Sequence, residues 1–156
     1  MAKGPRGDLI DALRDQLVPV LERKGFEARP FPKAQEKDAA QLRAAFPFGS
    51  MKRRRGGRLD LVEIQLHTPP SPKFVINFGT VPAEGVTVPW GHFSQDETIV
   101  SALPDGFRLH SRRFLKAFAW FSAVDQAVAL FPEIDAWFET GAIGPHISNI
   151  GFRQGR

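Results

Sequence analysis

Five cations crowd one short stretch of the chain, where Lys52, Arg53, Arg54, Arg55 and Arg58 stand in the order Lys-Arg-Arg-Arg-Gly-Gly-Arg. Such a cluster could neutralise about four phosphates, and binding of that kind falls on the order of a hundredfold between about 50 and 200 mM salt. No aromatic residue interrupts the cluster, so it offers no platform on which single-stranded bases could stack. A second set, Glu63, Gln65, His67 and Asn77, brings a carboxylate, two amides and an imidazole to one expected sheet face. These are groups for a hydrogen-bonding surface that meets a partner or a ligand. As a catalytic pair Glu63 and His67 are poor, because two alternations along a strand separate them by about 13 Å.

The other histidines, His92, His110 and His146, have no H-x-H or H-x-x-x-H spacing. A hydrolytic or metal-dependent site would have to be assembled from loops, with His92, His110 and Glu63 converging. The chain has no Cys, which excludes thiolate zinc sites, iron–sulfur clusters, disulfides and a cysteine nucleophile. No nucleophile elbow, phosphate-cradling glycine loop or dinucleotide fingerprint is present, so no cofactor and no metal is expected.

The charge totals change meaning once they are placed along the chain. The 156 residues carry 21 basic and 17 acidic side chains, a net charge of +4. Five of the 21 lie in the cluster, so the remaining 16 face 17 acidic residues and the rest of the chain is close to neutral. A chain of this length forms one domain, expected here over 1–156. Charges fall every few positions in the first thirty residues, so neither a signal peptide nor a span of about 20 apolar residues is present. A cytoplasmic protein that does not enter membranes is expected.

The elements that must position these groups follow from periodicity. Leu9 or Ile10, Leu13, Leu17 and Leu21 recur at helical spacing over 8–24, with Asp8 placed to cap the start and Pro19 to kink or shorten the helix. Gly25 is placed as a left-handed cap, with Phe26 folding back on Leu21 in a Schellman ending. An extended piece over 27–31 and an Ala-rich helix over 37–45 come next. Three antiparallel strands then follow over 48–55, 58–67 and 73–81, with Gly56-Gly57 as a tight turn.

Only one register places apolar side chains opposite each other: Leu66 with Phe74, Ile64 with Ile76 and Val62 with Phe78. It sets Glu63 opposite Asn77 and Gln65 opposite Val75 on a mixed, exposed face. Carried across the first hairpin, it sets Met51 opposite Val62 and Arg53 opposite Asp60, and it requires a bulge near Gly49 to bring Phe48 inward. Ser94 to Glu97 has capping-box spacing ahead of a helix over 98–103, and Phe107 to Leu109 reads as a further strand. Helical spacing runs from Val124 to Phe138, where Pro132 is expected to divide two short helices.

The fold class predicted is α+β, an antiparallel β-meander with N-terminal and C-terminal helices packed on one face. Leu-Val-Pro-Val-Leu-Glu-Arg-Lys-Gly-Phe at 17–26, Val-Glu-Ile-Gln-Leu-His at 62–67 and Phe-Val-Ile-Asn-Phe-Gly at 74–79 resemble the pattern of the bacterial domain-of-unknown-function family 4304, over residues 9–81. The Ala-rich segment at 34–45 departs from that pattern. The resemblance implies a fold and no activity. The function expected from the residues is non-enzymatic binding of a protein or a ligand through Glu63, Gln65, His67 and Asn77. The first alternative is nucleic-acid or polyanion binding through Lys52 to Arg58, and the second an enzyme assembled from loops.

Overall fold

A computed structural model describes residues 4–29, 31, 39–67, 73–109 and 120–149. The leading helical segment consists of α1 (Gly4–Ala12), a π-helical turn (Leu13–Leu17) and α2 (Val18–Arg23). It starts ahead of Asp8, which lies inside the helix and does not cap it. Pro19 does not end the helical run, which continues to Arg23, but the regular α-helix is interrupted just before it by the π-helical turn. The missing N–H of Pro19 is accommodated by the widened turn, in which the Val18 amide donates to the Leu13 carbonyl five residues back. That turn also keeps the apolar stripe straight. Each four-residue step overshoots an α-helical turn by about 40°, and the wider π turn takes part of this back, so Leu9, Leu13, Leu17 and Leu21 are all fully buried. The Schellman ending forms as expected: Gly25 has φ +93°, Phe26 N–H donates to Leu21 O at 3.0 Å and Gly25 N–H to Glu22 O at 3.0 Å.

Strand β1 (Glu27–Arg29) and α3 (Ala39–Ala45) lead into β2 (Ser50–Arg55), β3 (Arg58–Leu66) and β4 (Phe74–Val81). The register is the one that apolar matching requires, with Met51 opposite Val62, Arg53 opposite Asp60, Val62 opposite Phe78, Glu63 opposite Asn77 and Leu66 opposite Phe74. Gly56 and Gly57, at φ +55° and +84°, make the tight turn. No bulge is needed at Gly49. The strand begins at Ser50, and a left-handed corner at Gly49, φ +67°, leaves Phe48 packed against the core.

A small hairpin of β5 (Val86–Val88) and β6 (Gly91–Phe93) precedes β7 (Phe107–Leu109), α4 (Trp120–Thr140) and β8 (Ile147–Asn149). The main sheet is a six-stranded antiparallel meander in the order β1-β2-β3-β4-β7-β8. Pro132 does not divide α4, which runs on as one 21-residue helix. Pro132 is exposed, and the buried stripe Val124, Phe131, Ile134 and Phe138 passes behind it, so core packing carries the helix across the lost backbone bond.

The helices pack on one face of the sheet, where Met51, Val62, Ile64, Ile76, Phe78, Leu109 and Ile147 meet the leucine stripe and α4. The opposite, outer face has an apolar layer of its own. There Leu59, Leu61 and Val81 are covered by Val86, Val100 and Leu103. The capping box closes, Ser94 N–H donating to Glu97 Oε1 at 3.1 Å, but the expected helix over 98–103 is a single 3-10 turn at Val100–Ala102. The Arg29 guanidinium occupies the Gln95, Asp96 and Thr98 carbonyls that helical amides would otherwise use. Gly85 anchors this cover at φ +81°, where a Cβ would stand 2.3 Å from the Phe93 carbonyl oxygen. Gly85→Ala is therefore expected to cost about 1–3 kcal/mol in urea unfolding.

Candidate functional site

The basic hairpin is largely spent on its own molecule. Alternation sends Arg53 and Arg55 to the helix face, where Asp60, itself fully buried, waits on the partner strand. Asp60 Oδ2 accepts Arg53 Nε at 3.1 Å, Arg53 Nη2 at 2.9 Å and Arg55 Nε at 2.8 Å, while Oδ1 accepts the Thr80 hydroxyl at 3.1 Å. The Arg53 guanidinium also lies 4.4 Å over the Phe26 ring, and Arg55 reaches Glu139 and the Phe138 carbonyl at the end of α4. Arg54 points to the outer face and donates to Gln95 Oε1 at 2.8 Å. Gln95 in turn donates to the Gly57 carbonyl at 2.8 Å, tying the cover to the hairpin. Of the five cations, Lys52 and Arg58 alone have no hydrogen-bond or ion-pair partner among the described residues. Lys52→Ser with Arg58→Ser is accordingly expected to remove at most about two units from the log–log salt slope of DNA retention. Arg53→Ser should lower stability and leave that slope unchanged.

The second candidate set opens onto a longer structure. Cross-strand partners follow one another across all six strands: Arg29 with Ser50, Ser50 with Glu63, Glu63 with Asn77, Asn77 with Arg108, and Arg108 with Ser148. One polar residue from each strand thus lies in a single row on the outer face. At the β1 to β4 end the row is covered: Arg29, Ser50, Glu63 and Asn77 are all buried. Glu63 and Asn77 are therefore not exposed, as the mixed face led us to expect, because the segment from Val86 to Leu103 lies on that side of the sheet.

Burial pushes the Glu63 carboxyl up to about 7, against the opposing influence of the Val100 backbone amide, the Ser50 hydroxyl and the Arg29 charge. Glu63 Oε2 and Ser50 Oγ are buried without a well-formed hydrogen bond. For Arg29, burial lowers the guanidinium pKa, and nearby Asp96 and Glu63 partly restore it.

The half-buried end is oriented by a sequence of forced choices. Arginine can only donate, so Arg108 Nε, 2.9 Å from Asn77, fixes the Asn77 Oδ1 toward it. The Asn77 amide nitrogen then faces Gln65, whose Oε1 accepts at 2.9 Å. Among the described residues nothing accepts from the Gln65 NH2 group or from either Nη atom of Arg108. Both residues are half-buried. Each amide oxygen of the trio already accepts one bond within it, while the Gln65 NH2 group and the two Arg108 Nη atoms make none among the described residues.

The remaining sequence candidates disperse. The His67 side chain is exposed beside Gln65 at the end of β3, and only its backbone groups bond, to Arg6 and Lys73. His92 is exposed on β6 and pairs with Thr87 at 2.8 Å, His146 clamps Glu133 at 2.6 Å, and His110 lies outside the described residues. Among the described residues no group of three His, Cys, Asp or Glu could hold a metal, and no helix is long and apolar enough to cross a membrane. Arg58 does line a cleft of about 400 Å³ with Thr80, Trp137 and Glu139. A scan against family models and searches of curated proteins and of solved structures found no match for the chain.

Arg29, Ser50, Arg108 and Ser148 were not singled out from sequence. No local pattern joins residues so far apart in the chain, and only the pairing of six strands aligns them. The burial of Glu63 did have a signal. Leu59 and Leu61 share its face, and two leucines on a supposedly polar side are the mark of a strand buried on both faces.

Proposed function

We propose that this domain acts by binding a protein partner on the outer face of its sheet and that it is not an enzyme. The observation that supports this reading is the polar row, which ends in a hydrogen-bonded trio whose outward groups are unspent donors. Catalysis would ask for a nucleophile or base with an orienting partner in reach of a substrate. Glu63, the one carboxyl among the described residues shifted toward neutrality, is buried beneath the cover instead. Polyanion binding is the weaker reading, since Arg53, Arg54 and Arg55 are engaged within the molecule.

The test is panning of a displayed random-peptide library against the immobilised chain. Peptides enriched by the wild type should be lost with Gln65→Ala or Arg108→Ala and retained with Glu22→Ala, an exposed position on α2. Equal enrichment on all three variants, or turnover in a substrate screen that the Gln65 and Arg108 changes leave intact, would overturn the proposal.

A further inference from the structure

Arg108 is a cation in a row that provides it with no anion. Its cross-strand neighbours are Asn77 and Ser148, both neutral, and Asn77 separates it from Glu63 by two strand spacings, about 10 Å. Its Nε is held by Asn77, which in turn is held by Gln65, so the guanidinium plane is fixed while both Nη atoms stay unspent among the described residues. Side-chain entropy, the usual cost of using a surface arginine, has thus been met in advance on folding. The geometry points to a subsite in which Arg108 and Gln65 grip the carboxylate of an Asp or Glu side chain on an extended segment of the protein partner.

Three features carry this assignment. A planar fork of parallel N–H groups matches the two oxygens of a carboxylate, and charge-assisted bonds of this kind are about twice as strong as neutral ones. The Gln65 NH2 adds a donor from β3, two strands away from β7 and linked to Arg108 through Asn77 on the strand between them. Glu63 does not compete for the site, since it is buried and its burial favours the neutral form.

The assignment rests on the binding reading above and names the chemistry of the same site. It is tested by following the Arg108 Nε–H and Gln65 side-chain amide signals in NMR titrations of the full chain. The probes are the end-blocked pentapeptide Gly-Gly-Glu-Gly-Gly, its Gln counterpart and sodium acetate. The Glu peptide should move both signals and bind at least about tenfold more tightly than the Gln peptide, a difference of about 1.4 kcal/mol. Arg108→Gln should abolish that discrimination. Gln65→Ala, at a half-buried position that leaves the Arg108–Asn77 bond in place, should reduce it severalfold. Asn77→Ala, as a positioning change, should shift the Arg108 Nε–H signal and weaken discrimination without removing it.

Equal response to the Glu and Gln peptides, or none at Arg108, would overturn the assignment. Acetate binding as tightly as the Glu peptide would overturn its attribution to a protein segment. If library panning enriches peptides that bind at this face but contain neither Asp nor Glu, the carboxylate assignment fails and the binding reading stands. If panning enriches nothing, the binding reading itself fails.

Discussion

Replacing Asp60 by Ala is expected to destabilise the fold by about 3–5 kcal/mol, the usual consequence of removing one side of a buried ion pair. Asp60 is fully buried and accepts from Arg53, Arg55 and Thr80 at once. Without it the Arg53 and Arg55 guanidinium groups, two residues apart on the same face of β2, stand near Phe26 and Phe138 with no anion between them. Asp60→Asn keeps the shape and one acceptor, and should fall between wild type and Asp60→Ala. Changing Arg53 to Met and Asp60 to Leu together should recover much of the loss, because a well-packed apolar pair avoids the desolvation that a buried charge incurs. Urea unfolding midpoints decide the matter. A loss below about 1 kcal/mol for Asp60→Ala would mean that the cluster behaves like an exposed salt bridge.

The second large effect depends on pH. In the unfolded chain the Glu63 carboxyl titrates near its ordinary value of 4.5, whereas burial raises it to about 7 in the fold. Between those values the unfolded state has released a proton that the folded state still holds. Stability from this group is therefore full below 4.5, declines as pH rises, and levels off above about 7, a total change of about 3 kcal/mol.

Glu63→Gln keeps the volume, removes the charge and offers an amide to Ser50 Oγ, which is buried without a well-formed hydrogen bond. The variant should be more stable than wild type by up to about 3 kcal/mol at pH 8 and close to it at pH 4. The difference between the two stability curves, measured by urea unfolding across that range, should bend between 4.5 and 7. Parallel curves would show that Glu63 is ionised in the fold and compensated there.

Two features that depend on neighbouring residues alone form as expected. The Schellman ending needs only Leu21, Glu22, Gly25 and Phe26, and the β2-β3-β4 register needs only the alternation of apolar residues, since a slip by one would turn every core side chain outward. Errors arose where local rules met packing. Pro132 is a helix breaker by propensity, yet it sits inside α4, whose buried stripe outweighs one missing backbone bond, whereas Pro19 stands in the first turn of α2, directly after the π turn that interrupts the helix. The capping box at Ser94 to Glu97 formed, but the helix it signals did not, because Arg29, more than sixty residues earlier, took the carbonyls.

The sequence by itself determined the α+β class, the hairpin registers and the residue types available for chemistry. Strand alternation and helix periodicity are properties of neighbouring residues, so these needed nothing further. Tertiary structure alone decided which of those residues remain free. It buried Glu63 and Asn77 under a cover contributed by 86–103, tied Arg55 to Glu139 and the Phe138 carbonyl at the end of α4, and aligned Arg29, Ser50, Glu63, Asn77, Arg108 and Ser148 from six strands into one row. The physical reason is the same in each case. A charged or polar side chain is defined by its partner, and partners that meet across a sheet are set by strand order, which no local stretch of sequence contains.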